Sequence, residues 1–328
     1  MSSSTSESKP DLPYPPFYII PNISNLRDAA LHPLTTPTGP IRAGLLFRSA
    51  DVSKLTLPDW TALRELGIGH VFDLRSAPEV EKSWAPDSTP EWVRDMTAAG
   101  VQRSWVPVFQ EADYSPQGIA KRYVKYMDED VAGFVEAYRD MLHAGPGAYA
   151  TIFKYLASPT LLQFPLSEKA GALIHCSAGK DRTGIFFALL FTYLGVPATD
   201  IAAEYHRTEL GLSDIRNSIV DRLLQSPAFK NYIAAQSKGR KLKQAELAKI
   251  VQDANEGKGF EEGEVSPEMM AKGRAAALRM VGAKEESMLR TLGMVEEEFG
   301  GAEKYMREKC GLTDDEMEGL KRNLVVRE

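Results

Sequence analysis

The stretch His175 to Gly184 reads His-Cys-Ser-Ala-Gly-Lys-Asp-Arg-Thr-Gly and decides the fold of this 328-residue chain. The apolar segment Gly171 to Ile174 precedes it and is typical of a buried strand, whereas the apolar segment Ile185 to Leu190 follows it and is typical of a helix start. We therefore expect a loop between the end of a strand and the N-terminus of a helix. The expected fold class is α/β, with a sheet that carries helices on both faces.

The loop is suited to hold an anion. The first N–H groups of a helix have no partner inside the helix and carry a partial positive charge, so a loop wrapped there can bind phosphate. Arg182 adds a planar fork that can bind two phosphate oxygens, a geometry that lysine cannot reproduce. The predicted substrate-binding residues are His175, Ser177, Ala178, Gly179, Lys180 and Thr183.

Cys176 is the predicted nucleophile. A thiol at a helix N-terminus beside a guanidinium ionises far more readily than a free thiol, so we expect Cys176 to be a thiolate at neutral pH. Attack of the sulfur on phosphorus would give a phosphocysteine intermediate that water then hydrolyses. We expect the Thr183 hydroxyl to donate to the sulfur, and His175 to shape the loop through hydrogen bonds.

The leaving group needs a proton, and Asp181, inside the loop, is the first choice of general acid. Asp73 is the second choice, because it also ends an apolar run and two neighbouring strand ends can bring both carboxylates to the same edge of a sheet. The competing interpretation of Asp73 is an internal salt bridge within the sequence Asp73-Leu74-Arg75. General acid help of this kind is worth about 10²–10⁴ in rate.

These residues resemble those of a known family, the cysteine-dependent protein tyrosine phosphatases, and specifically the atypical tyrosine/dual-specificity group with the loop His-Cys-x-Ala-Gly-Lys-Asp-Arg-Thr-Gly. The resemblance runs from about Pro21 to the C-terminus. Outside the loop it is carried by Asn25 to Asp28, Gly44 to Ala50, Leu66 to Ile68, Phe72 to Ser76 with Glu79, Tyr138-Arg139, Phe299-Gly300, Tyr305 and Gly311 to Thr313.

The resemblance implies a protein-tyrosine-phosphatase-like fold and activity on phosphotyrosine, with phosphoserine, phosphothreonine and phosphoinositides as further substrate classes. In that family the loop lysine and aspartate accompany a broad substrate range, and they correspond to Lys180 and Asp181. A cationic Lys180 at the rim of the pocket would pair with a second phosphate group. The simpler alternative is a solvated lysine that only raises the local potential.

Two other functions compete with hydrolysis. A pseudophosphatase would bind phosphate groups without turnover, but such modules commonly lose the nucleophile or the acid, and this loop retains both. A sulfur-transfer or arsenate-reducing enzyme would usually need a second positioned cysteine, and only the distant Cys310 is available.

Composition narrows the partners and the compartment. The net charge of −6 argues against broad attraction to nucleic acid or to a membrane surface. Two widely separated cysteines favour a reducing compartment, and the longest apolar segment, Thr183 to Val196, is too short to span a bilayer. We expect a cytoplasmic enzyme without a cofactor or metal, whose partners are phosphoprotein or phosphoinositide substrates, with no nucleic acid and no stable membrane insertion.

The chain divides into a disordered tail, residues 1–16, and one phosphatase domain, residues 17–328. Composition shifts between residues 236 and 268, which indicates an exposed linker or insertion; the alternative is that residues 214–290 form a helical lid over the pocket. Ile215, Ile219 and Leu223 form an expected core stripe. We also expect a helix over Pro58 to Leu66 that is capped by Thr56 or a neighbouring residue. Segment 77–115 is expected to be irregular apart from a buried strand at Trp105 to Phe109, and the last helix is expected to begin with a capping box at Thr313.

Overall fold

The computed structural model describes residues 12–81, 89–110, 125–126, 131–162, 170–225, 229–230, 246, 249 and 267–327. Within these residues the centre is a sheet in the order β1-β4-β7-β5-β6, in which β1 is antiparallel to β4 and the other pairs are parallel. Its strands are β1 (Arg27–Asp28), β4 (Leu46–Ser49), β5 (Ile68–Asp73), β6 (Gln102–Trp105) and β7 (Gly171–His175); β2 (Thr35–Thr36) and β3 (Gly39–Pro40) form a separate pair.

The helices of the described residues lie on both faces of this sheet. One core packs Phe72 and Ile174 against helices that include Phe153 and Phe186, and the other packs Leu173 against Trp60 and Trp92 among others. This arrangement confirms the predicted α/β fold. The helices are α1 (Leu57–Glu65), α2 (Ala77–Glu81), α3 (Glu91–Ala98), α4 (Ala132–Ala144), α5 (Pro146–Ala157), α6 (Asp181–Leu194), α7 (Ala198–His206), α8 (Thr208–Gly211), α9 (Arg216–Gln225), α10 (Pro267–Val281), α11 (Glu285–Phe299), α12 (Ala302–Glu308) and α13 (Asp314–Leu324), and Ala29–Leu31 form a 3₁₀ turn.

The central strand β7 sets the position of the loop. It is buried along its whole length between β4 and β5, which explains why it is continuously apolar until its last residue. His175 pairs with Ser49 on one side and with Asp73 on the other. The three strands therefore end at one edge, and in α/β sheets ligands bind outside the carboxyl ends of the strands.

Helix α6 anchors the other end of the loop. It is buried on nearly all sides, as expected for a helix that is apolar around its circumference. It ends at Gly195, whose φ of 87° gives the left-handed cap that glycine adopts without strain. This rigid core helix fixes where the loop closes.

Two predicted helix starts are confirmed. Thr56 forms a capping box with Asp59 at the start of α1, and Thr313 forms one with Glu316 at the start of α13. In each box the carboxylate and the hydroxyl satisfy backbone N–H groups that have no partner within the helix. Local sequence is sufficient here because every partner lies within four residues.

The prediction for residues 77–115 was wrong in two respects. The segment contains α2 and α3, and α3 turns Trp92 and Met96, four residues apart, into the core. The strand lies at Gln102–Trp105, at the edge of the sheet, rather than at residues 105–109. Pro107 lacks an N–H and cannot continue the ladder, so the buried Val108 lies beyond the strand.

Only part of the expected tail, residues 1–16, and part of the expected insertion, residues 214–290, belong to the described residues. The tail is described from Leu12, and Phe17 N donates to Pro13 O across a turn. Most of residues 236–268 lie outside the described part of the chain, and on either side of them Arg274 of α10 contacts Asp221 and Asn217 of α9. Among the described residues, no helix combines the length and the apolar character that crossing a membrane requires.

The stripe of Ile215, Ile219 and Leu223 is only partly buried, so the expectation that it belongs to the core was wrong. Val220, which lies beside the stripe on α9, is fully buried instead. The four-residue spacing identified a helix correctly, but the face that turns inward is displaced by one residue.

Candidate active site

The loop leaves β7 at Cys176 and enters α6 at Asp181. Cys176 is buried, with 2% of its surface exposed. Gly179 has a φ of 62°, and a Cβ at this position would lie 2.0 Å from Ser49 O. Only glycine therefore permits the close approach of the loop to β4.

The carbonyls of the loop are bound on its outer side. Asp51 N donates to Ser177 O at 3.1 Å, and Leu74 N donates to His175 O at 2.9 Å. Asn25 Nδ2 donates to Ala178 O at 3.0 Å. Because N–H and C=O point in opposite directions in a trans peptide, these bonds turn the N–H groups of the following residues to the other side. The amides are thus arranged as a cradle for an anion.

A buried ion network lies behind the cradle. Glu204 binds Arg27 Nε at 2.7 Å and Arg48 Nη1 at 2.5 Å, and all three side chains are at most 1% exposed. Burial would raise the pKa of Glu204, but the two guanidinium charges outweigh it and lower that pKa. Two cations and one anion leave one excess positive charge behind the loop.

The Arg182 fork holds a carboxylate. Nη1 donates to Glu79 Oε2 at 2.6 Å and Nη2 donates to Glu79 Oε1 at 2.7 Å, so the pair is bidentate. Ser177 Oγ also donates to Glu79 Oε1. The guanidinium has the planar two-point geometry that was predicted, and Glu79 engages the nitrogen atoms that were expected to bind phosphate oxygens.

Asp181, the first choice of general acid, lies at the first position of α6 beside two tyrosines. Tyr138 Oη donates to Asp181 Oδ1 at 2.8 Å and is 2.5 Å from Tyr205 Oη. Burial, and next the negative charge of Asp181, hold the pKa of Tyr138 well above its ordinary value, so this hydroxyl remains a donor. Lys180 Nζ lies 3.4 Å from the same Oδ1 atom.

Lys180 does not lie at an open rim, contrary to the expectation. It is 3% exposed, and Nζ donates to Met280 O at 2.6 Å and to Gly282 O at 3.1 Å, at the C-terminal end of α10. Burial lowers the pKa of Lys180, while the neighbouring Asp181 acts in the opposite direction. The carbonyls at a helix C-terminus attract a cation, which explains why the ammonium lies there.

Asp73 lies in an ion-pair network and not against the loop interior. It is fully buried, accepts from Arg75 Nη2 at 2.8 Å and from Arg103 Nη2 at 2.8 Å, and lies 3.6 Å from His175 Nε2. Burial would raise the pKa of Asp73, but His175 and the guanidinium groups outweigh it and lower that pKa far below its ordinary value. The geometry favours the salt-bridge interpretation over the alternate acid.

The contacts of His175 agree with the role expected for it, whereas those of Thr183 do not. His175 Nδ1 lies 3.2 Å from Cys176 O, as expected for a residue that shapes the loop, and burial lowers the pKa of the imidazole. The Thr183 hydroxyl is buried and makes no hydrogen bond within the described part of the chain, so the expected bond to the sulfur is not present. Cys310 is also buried, and burial raises the pKa of its thiol to about 12.

Five residues around the loop received no role from the sequence: Asn25, Arg48, Glu79, Tyr138 and Glu204. Asn25, Arg48 and Glu79 occur in the segments that carry the family resemblance, but nothing local identifies their partners. Glu204 follows the apolar Ile201 by three residues on α7, and this place on the inward face of the helix was the one independent signal, since a buried charge requires a partner.

Comparisons with known proteins identify the family of the chain. The model of the tyrosine phosphatase family matches residues 18–326, so the chain belongs to that family, as the loop predicted. The chain is 29% identical over 231 residues to the triple specificity protein phosphatase PtpB of Mycobacterium tuberculosis, an alignment that covers 63% of this chain and 74% of that protein. It is 29% identical over 165 residues to the tyrosine-protein phosphatase of Nostoc commune, which covers 50% of this chain and 48%, about half, of that protein.

Proposed function

We propose that this chain is a cysteine-dependent phosphomonoesterase that acts on phosphotyrosine proteins through a phosphocysteine intermediate. The observation that carries the proposal is the loop itself: Cys176 lies at the carboxyl end of β7, beneath amides whose carbonyls are bound on the opposite side. Family membership and the names of the two relatives support the same reaction class.

In the first step Cys176 Sγ attacks phosphorus as the thiolate. The P–S bond forms as the bond from phosphorus to the ester oxygen breaks, and Asp181 gives its proton to the departing alkoxide or phenoxide. Oδ1 of Asp181 already accepts from Tyr138, so Oδ2 is the oxygen that carries the proton. The loop amides and Arg182 stabilise the charge on the phosphoryl oxygens.

In the second step water attacks phosphorus and the P–S bond breaks. Asp181, now a carboxylate, takes a proton from that water, and Cys176 leaves as the thiolate. Inorganic phosphate departs and the starting state returns. No redox step is involved, and every proton passes through Asp181.

The substrate range is proposed to extend to phosphoserine and phosphothreonine proteins and to phosphoinositides. PtpB, with which this chain is 29% identical over 231 residues, is named a triple specificity protein phosphatase. A second phosphate of an inositol ring would need Lys180, which can reach it only by leaving the carbonyls of Met280 and Gly282. Phosphoinositide turnover therefore requires α10 to release this lysine.

The decisive experiment measures turnover and the acid together. Phosphotyrosine peptide, phosphoserine peptide, phosphoinositides and inositol phosphates are assayed side by side, with Cys176→Ser as the inactive control. Asp181→Asn is expected to lower kcat by about 10²–10⁴ for alkyl phosphates and much less for aryl phosphates with good leaving groups. That leaving-group pattern in Asp73→Asn instead would assign the proton to Asp73.

The competing function is a phosphate-binding module without turnover. It predicts that phosphotyrosine peptide binds equally well to the wild type and to Cys176→Ser, and that neither releases phosphate. Hydrolysis predicts that quenching the wild-type reaction in acid traps phosphate on Cys176, which Cys176→Ser cannot do. Phosphate release that persists in Cys176→Ser would rule out the proposed mechanism.

A further inference from the structure

Asn25 has a backbone conformation that few residues adopt. Its φ is 60°, in the left-handed region, and its side chain is 1% exposed. Asparagine tolerates this region better than other residues with a side chain. Gly211 of α8 packs directly on it, because a Cβ on Gly211 would lie 2.1 Å from Asn25 Oδ1. An uncommon φ at a buried polar residue suggests the hypothesis that its side chain has a structural or functional role.

The hydrogen bonds of the Asn25 amide connect it to the backbone of the loop. Nδ2 donates to Ala178 O at 3.0 Å and to Gly179 O at 3.3 Å, which uses both of its hydrogens. Oδ1 accepts from Arg27 Nη1, and this donor decides which way the amide faces. Aspartate at this position could accept from Arg27 but would have no hydrogen to give to the loop.

Arg48 supports the same part of the loop from β4. Its Nη2 donates to Gly179 O at 2.7 Å, while Nη1 binds Glu204. The guanidinium carbon lies 5.1 Å from the centre of the Phe187 ring, so the group is also packed from one side. Gly179 O thus receives two donors, and neither donor is exposed to solvent.

From these contacts we propose that Asn25 and Arg48 are positioning residues, which hold two loop carbonyls outward so that the N–H groups of Gly179 and Lys180 face the phosphoryl group. In a trans peptide the C=O group and the N–H group of the next residue point in opposite directions, so holding the carbonyl outward turns that N–H inward. Without these donors either peptide can rotate and present its oxygen to the phosphate, which replaces attraction by repulsion. The proposal rests on the proposed function for its consequence in catalysis.

The test uses a matched pair of asparagines. Asn323 of α13 is also buried, and its Nδ2 also donates to two backbone carbonyls, Leu156 O and Ser158 O, both at 2.8 Å. Asn25→Asp and Asn323→Asp therefore remove equivalent bonds, one pair at the loop and one pair away from it. Asn25→Gly provides a second loop variant that suits the φ of 60° and removes only the amide.

Calorimetry with inorganic phosphate and steady-state kinetics with p-nitrophenyl phosphate provide the readouts, and thermal melting reports stability. We expect Asn25→Asp and Asn25→Gly to weaken phosphate binding by about tenfold or more and to lower kcat by about 10²-fold, since misdirected amides act on charge in the transition state. Asn323→Asp is expected to lower the melting temperature by a similar amount and to bind phosphate within about twofold of the wild type.

The outcomes are distinct. Unchanged phosphate binding in Asn25→Gly would overturn the positioning role, and so would a loss in Asn323→Asp as large as that in the Asn25 variants. If the wild type binds phosphate but hydrolyses none of the phosphomonoesters, the proposed function fails while the binding comparison still decides the positioning role. If the wild type binds no phosphate, both proposals fail.

Discussion

Glu79 is the carboxylate that binds the arginine of the loop. Its carboxylate forms two bonds with Arg182 and accepts from Ser76 and Ser177 as well. A phosphate dianion bound in the loop must share Arg182 with this carboxylate. The carboxylate keeps the guanidinium in one orientation, but it also lowers the positive potential that a dianion experiences.

Replacing Glu79 separates these two effects. We expect Glu79→Gln to bind inorganic phosphate about tenfold more tightly, because a negative charge next to the cradle is removed and Arg182 no longer has an ionic competitor. Calorimetry with inorganic phosphate measures this change. Glu91→Gln, which removes the same charge from an exposed position in α3, is the control and should have no effect. Weaker binding in Glu79→Gln would mean that orientation of the guanidinium dominates.

At the scale of elements, the loop and α10 are joined by Lys180. The ammonium has the carbonyls of Met280 and Gly282 on one side and the rings of Tyr126 and Phe134 at 5.7 Å and 5.3 Å. A residue of the predicted anion-binding loop therefore also holds the C-terminal end of a helix from the expected insertion. Release of α10 and exposure of the lysine charge are the same event.

Lys180→Met tests this connection. Methionine has a similar length and fits among the aromatic rings, but it has no donor for the two carbonyls, so the end of α10 should open more often. We expect amide hydrogen exchange in residues 278–284 to accelerate by about tenfold. Arg274→Ala, which cuts the exposed contacts between α9 and α10, should leave these amides unchanged. Equal exchange in Lys180→Met and the wild type would show that Lys180 does not hold the helix.

The elements that the sequence predicted correctly depend on short-range patterns. The extent of β7 follows from its continuous apolar run, and the capping box at Thr313 is complete within four residues, whereas α6 begins at Asp181, four residues before the apolar run that predicted it. Cys176 and Arg182 belong to one contiguous loop, so the sequence alone places them close together, and their roles stay a prediction. Their neighbours come from distant parts of the chain, and Glu204, for example, lies in another helix, so no local pattern could pair it with Arg48.

Lys180 and Asp73 show that the surroundings of a charged residue are difficult to predict from the sequence. A lysine in a polar loop is expected to face solvent, yet tertiary packing closes α10 over it and supplies carbonyls as partners. An aspartate at a strand end can be an acid or an ion-pair partner, and only the positions of Arg75 and Arg103 decide between them. The burial of Lys180 and the ion pairing of Asp73 both depend on contacts between distant elements, and the spacing of apolar residues along the sequence does not predict such contacts.

For the molecule as a whole, we expect the free energy of unfolding to depend on pH through a buried carboxyl group that takes no part in the proposed reaction. Asp28 is 1% exposed, and its oxygens accept from Ala30 N at 2.9 Å and from Gly44 N at 2.6 Å. Burial raises the pKa of Asp28 to about 6 from the ordinary value of 3.8, although these two hydrogen bonds act in the opposite direction. Between pH 3.8 and about 6, the folded protein therefore keeps a proton on Asp28 that the unfolded chain releases.

The sign of the effect follows from that difference. The contribution of Asp28 is fully present below pH 3.8 and is lost as pH rises through about 6, because ionisation then costs more in the folded state. Asp28→Asn has no such proton. The free energy of unfolding of the wild type, relative to that of Asp28→Asn, should fall by about 2 kcal/mol between pH 4.5 and 7.5. Urea unfolding at both pH values measures it, and the opposite contribution of His175, whose pKa burial lowers, is common to both proteins and cancels. A difference that does not change with pH would mean that Asp28 is ionised throughout this range.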